Sequence, residues 1–324
     1  MKNVKEKYGR IGVLMGGYSS EREISLKSGK AILSALLQDG FDAVAIDIID
    51  KDEDKIRYCI FNADIDIAFI ALHGCLGEDG AIQSVLEDMN ISYTGSSVQA
   101  SRLAINKALT QKILKDNGLN VPPHEILSDD YINMNELINN LPPFPVVVKP
   151  ACEGSSIGIK LVRQVNELED AVKFAREFGN EIIIEQYIEG RELTVGILNG
   201  KALAVVEIRS HRDFFDFTAK YQSGLTEYLI PASLPPEITS EVQQMAIKTF
   251  NILGCQDISR VDFIIAEDMK PYILEINTIP GFTSTSLLPK AAQFQGINFN
   301  QLCAQLVELA YGKKKIYKNT AVRY

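Results

Sequence analysis

The sequence lacks the patterns that most often identify a metal or nucleotide site. Its five cysteines are widely spaced with no C-x-x-C pair, and its three histidines are scattered. This spacing predicts neither a disulfide framework nor a zinc site, so hard oxygen ligands are the metal chemistry that remains. The chain also has no G-x-x-x-x-G-K-[ST] loop and no G-x-G-x-x-G fingerprint, which excludes two common phosphate-binding motifs.

Positive charge and long apolar runs are also scarce. The formal net charge of −9 argues against nucleic-acid or anionic-membrane partners, because both require a basic face. The apolar run after the charged N-terminus, IGVLM at residues 11–15, is too short for a signal peptide or a membrane span. We therefore expect a cytoplasmic protein whose ligands are small molecules, with no nucleic-acid and no membrane partner.

Length and apolar content predict more than one folded unit. With 324 residues, 46% of them hydrophobic, the chain is expected to form two or three domains with large cores. In the first hundred residues, apolar runs alternate with helical patterns, which predicts a parallel sheet with helices on both faces. The expected strands are residues 11–15, 43–48, 66–72 and 91–94, and the expected helices are residues 20–37, 52–61 and 79–88. Ligands bind at the carboxyl ends of such strands, where the loops GGYSSERE and HGCLGEDG lie.

The pattern changes after about residue 98. We expect one helix over residues 99–117, ended by Gly118, and another over residues 167–178. Further strands are expected at residues 181–188, 192–198 and 202–208. The polar and aromatic composition of residues 209–228 predicts a long functional loop, and the basic C-terminal tail is expected to be a loose end.

A lysine stands at the end of an apolar strand in FPVVVKPACEGSSIGIKLV, residues 144–162. Because Lys149 precedes the glycines and serines, the cation and the loop would approach a phosphate from different elements. A β-hairpin turn beside a solvated lysine explains the same pattern equally well.

The stretch SRVDFIIAEDMKPYILEIN, residues 259–277, predicts a β-hairpin with two different faces. A two-residue turn at Asp268 and Met269 would place Asp262 opposite Glu275. The same register places Arg260 opposite Asn277. The other face would then be wholly apolar, with Val261, Phe263, Ile265, Tyr272, Leu274 and Ile276.

The polar face of this hairpin predicts a cation site. Directly opposed carboxylates ~5 Å apart repel by roughly 3 kcal/mol at an effective dielectric constant of about 20, so they need a cation between them. Asp262, Glu275 and Asn277 offer only oxygen ligands, which suits Mg²⁺ bound to nucleotide phosphates. The alternative is a solvated hairpin face whose charges are coincidental.

Four motifs carry a resemblance to a known family: R-V-D, L-E-I-N-T-I-P-G, H-G-C-L-G-E-D-G and K-P-A-C-E-G-S-S-I-G. Together they resemble the ATP-grasp superfamily and, within it, the D-alanine–D-alanine ligase family, from Ile11 to about Leu309. The resemblance implies an α/β, ATP-grasp fold with three parts, an N-terminal parallel α/β domain and two α+β domains that clamp ATP. These are an N-terminal parallel α/β domain at residues 1–97, a central ATP-grasp subdomain at 98–187, and a C-terminal one at 188–324 with the metal site and a lid loop.

The resemblance also implies an activity and its cofactors. Members of this family join two D-alanines through an acyl phosphate at the expense of ATP, for peptidoglycan precursor synthesis. The expected cofactors are ATP and two ions of Mg²⁺, with Mn²⁺ as an alternative, and the expected assembly is a homodimer.

The same resemblance assigns roles to single residues. The nucleotide would be bound through its phosphates, adenine and ribose by Lys107, Lys149, Lys220, Glu185, Gln186, Ile188 and Glu192. The first D-alanine would be held by Glu21, Ser155, Tyr221 and His73. Arg260 and the backbone N–H of Gly281 would stabilise the tetrahedral oxyanion, and Ser286 and Leu287 would form the pocket for the second amino acid.

Without the resemblance, several of these residues have simpler explanations. Glu21 would be a first-turn glutamate after an N-cap at Ser20 that complements the helix dipole, and His73 a hydrogen-bonded core residue. Lys107 would lie on a helix surface, and Glu185 and Glu192 would be solvated charges at strand ends.

Two departures from the family pattern leave alternatives open. Gln186 stands where many members have lysine, and Asp257 where a small residue is common. Alternatives are a ligase of the same fold that uses D-lactate or D-serine, another ATP-grasp amino-acid ligase, or a regulator that only binds ATP. Depsipeptide-forming members replace the tyrosine region with a loop that supplies a histidine, whereas this chain has Tyr221.

Overall fold

The N-terminal part of the chain forms the expected parallel sheet. A computed structural model describes residues 4–128, 134–154, 157–210 and 226–321. The first elements are α1 (Val4–Tyr8), β1 (Arg10–Gly16), α2 (Arg22–Gln38), β2 (Asp42–Ile48), α3 (Glu53–Ala63), β3 (Ile67–Ile70), α4 (Ala81–Asp88) and β4 (Ser92–Tyr93). The strands pair in parallel in the order β2-β1-β3-β4.

The middle of the chain forms an antiparallel sheet of order β5-β8-β6-β7. Its elements are α5 (Val98–Ile105), α6 (Lys107–Asp116), β5 (His124–Leu127), α7 (Met134–Asn140), β6 (Val146–Pro150), β7 (Lys160–Val162), α8 (Leu168–Arg176) and β8 (Ile182–Gln186). The single helix predicted over residues 99–117 is wrong, because Asn106 leaves the helical conformation at ψ 97°. Its side chain accepts a hydrogen bond from the Leu109 N–H, and α6 therefore begins at Lys107.

The C-terminal part forms a second antiparallel sheet, in the order β11-β10-β9-β12-β13. Its elements are β9 (Gly190–Leu198), β10 (Lys201–Ser210), β11 (Thr226–Leu229), α9 (Pro236–Ile252), β12 (Ile258–Ala266), β13 (Pro271–Asn277), α10 (Leu287–Phe294) and α11 (Phe299–Ala321). The loop predicted at residues 209–228 is wrong at its ends, where Arg209 pairs with Glu227 in a strand ladder. Residues 211–225 lie outside the described part of the chain.

Helices cover both faces of the parallel sheet, as predicted. Leu36 of α2 and Leu306 of α11 share one buried cluster with Val13 of β1. On the other face, helices α3 and α4 pack against Leu14. The first cluster also reaches Val206 of β10, so the N-terminal and C-terminal sheets share one core. The three-part division of the chain stays a prediction.

The β12–β13 hairpin has the predicted register at its polar end, but the turn that was expected to produce this register is different. Ala266 and Lys270 close the hairpin around a three-residue loop, with Met269 at φ +66°, so the two-residue turn is wrong. Near the loop the pairing is therefore shifted by one residue, with Phe263 opposite Ile273. An extra residue at Leu274 forms a β-bulge that restores the predicted pairs, Asp262 opposite Glu275 and Arg260 opposite Asn277.

The bulge also changes which side chains enter the core. Ile273, rather than Tyr272 or Leu274, is buried on the apolar face of the hairpin together with Phe263 and Ile276. Tyr272 and Leu274 are only partly buried. The prediction of one apolar face is confirmed, but two of its six members were wrong because the bulge reverses the alternation.

The C-terminal tail is not a loose end as far as Ala321, because α11 extends to that residue. Lys313 of α11 donates hydrogen bonds to Gly95 O at 2.6 Å and to Asp257 Oδ2 at 2.7 Å. Asp257 has φ +57° and also accepts from the Gly95 N–H at 2.8 Å. Burial raises the pKa of the Asp257 carboxyl and lowers the pKa of the Lys313 ammonium, so each charge depends on the other.

No described helix combines the length and the apolar character that a membrane span requires.

Replacing Lys313 with Met should destabilise the protein, because it leaves the Asp257 carboxylate buried without a cation. We expect a loss of about 3 kcal/mol in the free energy of unfolding at pH 7, measured by urea denaturation. The control is Lys173→Met, which removes a surface ion pair to Glu169 and should leave the midpoint unchanged. Equal midpoints for wild type and Lys313→Met would contradict the importance of this pair.

Candidate active site

A cleft of about 820 Å³ lies where the three sheets approach one another. It gathers eleven of the residues predicted to form the site: Glu21, His73, Lys107, Glu192, Arg260, Asp262, Glu275, Asn277, Gly281, Ser286 and Leu287. Lys149, Glu185, Gln186 and Ile188 are described but do not line this cleft. Ser155, Lys220 and Tyr221 lie outside the described residues.

Glu21 lies where three loops meet. It directly precedes α2, so the predicted N-cap at Ser20 is wrong, and the Glu21 side chain makes no capping hydrogen bond. A Cβ placed on Gly74 would lie 2.7 Å from Glu21 Oε2, and one on Gly154 would lie 3.6 Å from it. Gly74 has φ +68°, a conformation that favours glycine, and a larger residue would also collide with the Glu21 carboxylate. The loops after β1, β3 and β6 therefore converge on one carboxylate.

His73 is buried in a fixed orientation at the end of β3. Its Nδ1 lies 3.0 Å from Ile279 O, and its Nε2 lies 3.2 Å from Ser28 Oγ. Glu78 Oε1 is 3.5 Å from Nδ1, and the Glu78 side chain is only 12% exposed. Burial raises the pKa of the Glu78 carboxyl, an effect that the contact with His73 opposes. Sequence reasoning missed Glu78, although it belongs to the HGCLGEDG loop already associated with the site.

Cations lie beside both carboxylates on the polar face of the β12–β13 hairpin. Arg260 donates from Nε and one terminal nitrogen to the two oxygens of Asp262, at 2.8 and 2.7 Å. Thr194 on the neighbouring strand β9 donates to Asp262 Oδ1 at 2.6 Å. Lys107 Nζ lies 3.4 Å from Glu275 Oε2. The repulsion expected between the opposed carboxylates is thus offset by an arginine on the same strand and by a lysine from α6.

The donor set of this face fits a hard divalent cation. Asp262, Glu275 and Asn277 all line the same cleft, and Asn277 Oδ1 accepts a hydrogen bond from the Ile279 N–H at 2.9 Å. No group of three or more His, Cys, Asp or Glu side chains within the described ranges is arranged to hold a metal by itself. Mg²⁺ is commonly held by one or two carboxylates, with substrate phosphates and water completing its shell. Two carboxylates and one amide therefore suit a metal that arrives with a phosphate ligand.

A second charged cluster lies on the sheet of the central part. Val147 pairs with Glu185 and Lys149 with Ile183 in β6 and β8, so Lys149 and Glu185 lie on the same face. They form a buried ion pair, with 7% and 6% of their side chains exposed, and Gln111 Nε2 donates to Glu185 Oε2 at 2.8 Å. The explanation of both residues as solvated charges is wrong.

Lys107 connects this sheet to the hairpin. Its backbone N–H donates to Ala151 O at 2.9 Å, and its Nζ donates to Glu153 O at 2.6 Å. The same ammonium approaches Glu275 on the other sheet. Only 8% of Lys107 is exposed, so the explanation as a helix-surface lysine is wrong.

The remaining predicted nucleotide contacts lie along the junction between these two sheets. Glu185 and Gln186 end β8, and the Gln186 N–H donates to Pro123 O at 2.8 Å. Ile188 follows in the segment between β8 and β9, and Glu192 lies near the start of β9. Glu192 is the member of this group that lines the cleft.

The other end of the cleft is formed by the segment that leads into α10. Ser286 precedes the helix, and its Oγ accepts a hydrogen bond from the Thr283 N–H at 3.0 Å. A Cβ on Gly281 would lie 3.5 Å from Ser286 Oγ, so the two residues are neighbours. Lys290 and Tyr228 also line the cleft here and were not among the predicted site residues. Lys290 Nζ lies 4.8 Å from the centroid of the Tyr228 ring.

Stability should depend on pH through Glu78. A carboxyl whose pKa is raised by folding is harder to ionise in the folded chain, so it weakens stability as pH rises from 4.5 through its raised pKa. Glu78→Gln should therefore be more stable than wild type at pH 8, with a smaller difference at pH 5, measured by urea denaturation. Glu241→Gln, on the exposed face of α9, should show no such trend. A wild type that is more stable than Glu78→Gln at pH 8 would contradict this account.

Two family models match the chain. The model for the D-ala D-ala ligase C-terminus matches residues 113–308, and the model for the N-terminus matches residues 50–96. A D-alanine–D-alanine ligase from Geotalea uraniireducens is 47% identical over 302 residues, which cover 93% of this chain and 95% of that protein. One from Carboxydothermus hydrogenoformans is 44% identical over 316 residues, covering 94% of this chain and 100% of that protein.

Solved structures show the same fold. The D-alanine–D-alanine ligase from Bacillus anthracis complexed with ATP has a TM-score of 0.83 and 33% identity, covering 95% of this chain and 99% of that one. The VanG D-Ala:D-Ser ligase from Enterococcus faecalis has a TM-score of 0.80 and 30% identity, covering 93% and 99%. The predicted ATP-grasp architecture, with one parallel and two antiparallel sheets, is confirmed. The chain belongs to the D-alanine–D-alanine ligase family.

Proposed function

We propose that this chain joins two D-alanines into D-alanyl-D-alanine at the expense of ATP, through an acyl phosphate, for peptidoglycan precursor synthesis. Membership of the ligase family supports this activity. The observation that carries the proposal is the cleft, which brings together predicted substrate residues from the parallel sheet and predicted metal and oxyanion residues from the hairpin. A regulator that only binds ATP would need neither Glu21 nor Arg260 in this cleft.

The nucleotide is bound between the two antiparallel sheets. Lys107 and Lys149 offer their ammonium groups to the phosphates, and Lys220 is assigned the same task by the family resemblance. The segment with Glu185, Gln186 and Ile188 binds adenine, and Glu192 binds the ribose. The buried contacts of Lys149 with Glu185 and of Lys107 with Glu153 O support this assignment, because they hold both cations at fixed positions.

The amino-acid substrates occupy the cleft between the parallel sheet and the hairpin. Glu21, with Ser155 and Tyr221, holds the ammonium of the first D-alanine, and His73 lies beside it. The γ-phosphoryl group passes to the carboxylate of this D-alanine, and the amine of the second D-alanine then attacks the acyl phosphate.

Attack by the second amine produces a tetrahedral oxyanion. Arg260 and the Gly281 N–H stabilise that charge. The bidentate contact between Arg260 and Asp262 supports this role, because it fixes the guanidinium before substrate arrives. Ser286 and Leu287 form the pocket for the second D-alanine.

Asp262, Glu275 and Asn277 are the residues that would hold two Mg²⁺ ions. Mn²⁺ could take the place of Mg²⁺. A metal held there would offset the negative charge of the phosphate oxygens during phosphoryl transfer. We further propose a cytoplasmic homodimer with the three domains assigned from the sequence.

The second substrate can be tested by competition. With equal D-alanine, D-lactate and D-serine at pH 7, and products separated by chromatography, we expect mainly D-alanyl-D-alanine. The reason is that the sequence has Tyr221 where depsipeptide-forming members carry a histidine-supplying loop. Predominant D-alanyl-D-lactate or D-alanyl-D-serine would overturn the proposed product. Phosphate release that does not depend on added D-amino acid would overturn ligation itself.

The metal assignment predicts that Glu275→Gln keeps its fold but loses turnover. The apolar face of the hairpin is untouched, and relief of the repulsion with Asp262 offsets the weakened contact with Lys107, so the unfolding midpoint should stay near that of wild type. Turnover at ordinary Mg²⁺ should fall at least about 100-fold, because a charged ligand is lost. Glu267→Gln, in the exposed turn of the same hairpin, is the matched control and should keep full activity. Unchanged activity of Glu275→Gln would rule out the assignment.

A further inference from the structure

Lys290 projects into the cleft from the first turns of α10. Its backbone N–H donates to Ser286 O at 3.0 Å, so Lys290 lies one helical turn beyond Ser286, on the same side of the helix. Both residues line the cleft. The side chain of Lys290 is therefore next to the proposed pocket for the second amino acid.

Among the described residues, no carboxylate neutralises the charge of Lys290. The other cations near the hairpin have acidic partners, because Arg260 pairs with Asp262 and Lys107 approaches Glu275. Within the described ranges of the chain, no acidic side chain forms an ion pair with Lys290, whose ammonium lies over the Tyr228 ring. Lys27 also lines the cleft, but it is exposed, whereas Lys290 is partly buried.

The cleft as a whole is unfavourable for a carboxylate ligand. Among the described residues, six acidic and four basic side chains line it, and two of the basic ones are bound to acidic partners. An amino acid that enters as an acceptor brings a carboxylate that must lie near a cation to offset this field. Lys290 is the cleft cation that is both partly buried and not neutralised by any described carboxylate.

We propose that Lys290 determines specificity for the acceptor: its ammonium pairs with the carboxylate of the second amino acid, and the face of Tyr228 holds that ammonium in place. A cation over an aromatic ring is stabilised without losing its charge, so it stays available to an anionic ligand. The ligase then prefers an acceptor that has a free carboxylate. This inference rests on the proposed function.

The test compares two acceptors in Lys290→Met. D-alaninamide has no carboxylate, so it cannot be phosphorylated and can enter only as the acceptor. The variant should raise the acceptor KM for D-alanine about tenfold, as expected for a lost charged hydrogen bond, and leave the KM for ATP unchanged. Its kcat/KM for D-alaninamide, with D-alanine as donor, should match that of wild type. The preference for D-alanine over D-alaninamide should therefore fall about tenfold.

Two further variants separate recognition from structure. Lys290→Arg keeps the positive charge and should retain the preference. Lys270→Met removes a similar lysine–tyrosine contact, 5.2 Å from the Tyr272 ring and outside the cleft, and should change neither constant.

Three outcomes would overturn the proposal. One is an unchanged acceptor preference in Lys290→Met while wild type still forms the dipeptide. Another is an equal loss for both acceptors, which would indicate a structural role. Absence of dipeptide from wild-type reactions would overturn the proposed function together with this inference.

Discussion

The repulsion between Asp262 and Glu275 is the constraint on which the site depends. A β-ladder places these two carboxylates opposite each other, and the fold must supply positive charge from elsewhere to keep them there. Arg260 comes from the same strand, whereas Lys107 comes from the start of α6, beside the central sheet. The charge balance of one hairpin therefore ties together the two antiparallel sheets between which a nucleotide is proposed to bind.

Lys107 can reach the hairpin carboxylate of Glu275 because Asn106 interrupts the helix before it. The interruption turns Lys107 into the first residue of α6, where its N–H reaches Ala151 O and its ammonium reaches both Glu153 O and Glu275. A continuous helix would have used that N–H for an internal hydrogen bond. Local backbone conformation thus determines the position of a cation that two sheets share.

An ion pair between residues far apart in the sequence also connects the hairpin to the parallel sheet. Asp257, one of the departures from the family pattern, is paired with Lys313 from the distant helix α11 and with the Gly95 N–H. Strand β12 begins at the next residue, Ile258, and carries Arg260 and Asp262. Buried charge pairs therefore hold the hairpin from both sides, and the unusual aspartate has a partner that its position in the sequence does not reveal.

The sequence by itself determined the alternation of strands and helices in the first hundred residues, the parallel sheet and the four motifs, because periodicity and short signatures are local properties. It also paired Asp262 with Glu275, although a wrong turn and an unforeseen bulge at Leu274 compensated for each other. Only the tertiary structure revealed Glu78 beside His73, Lys290 over Tyr228, and Lys313 beside Asp257. Burial, pKa and ion pairing depend on residues far apart in the chain, whose proximity is decided by packing rather than by any pattern along the sequence.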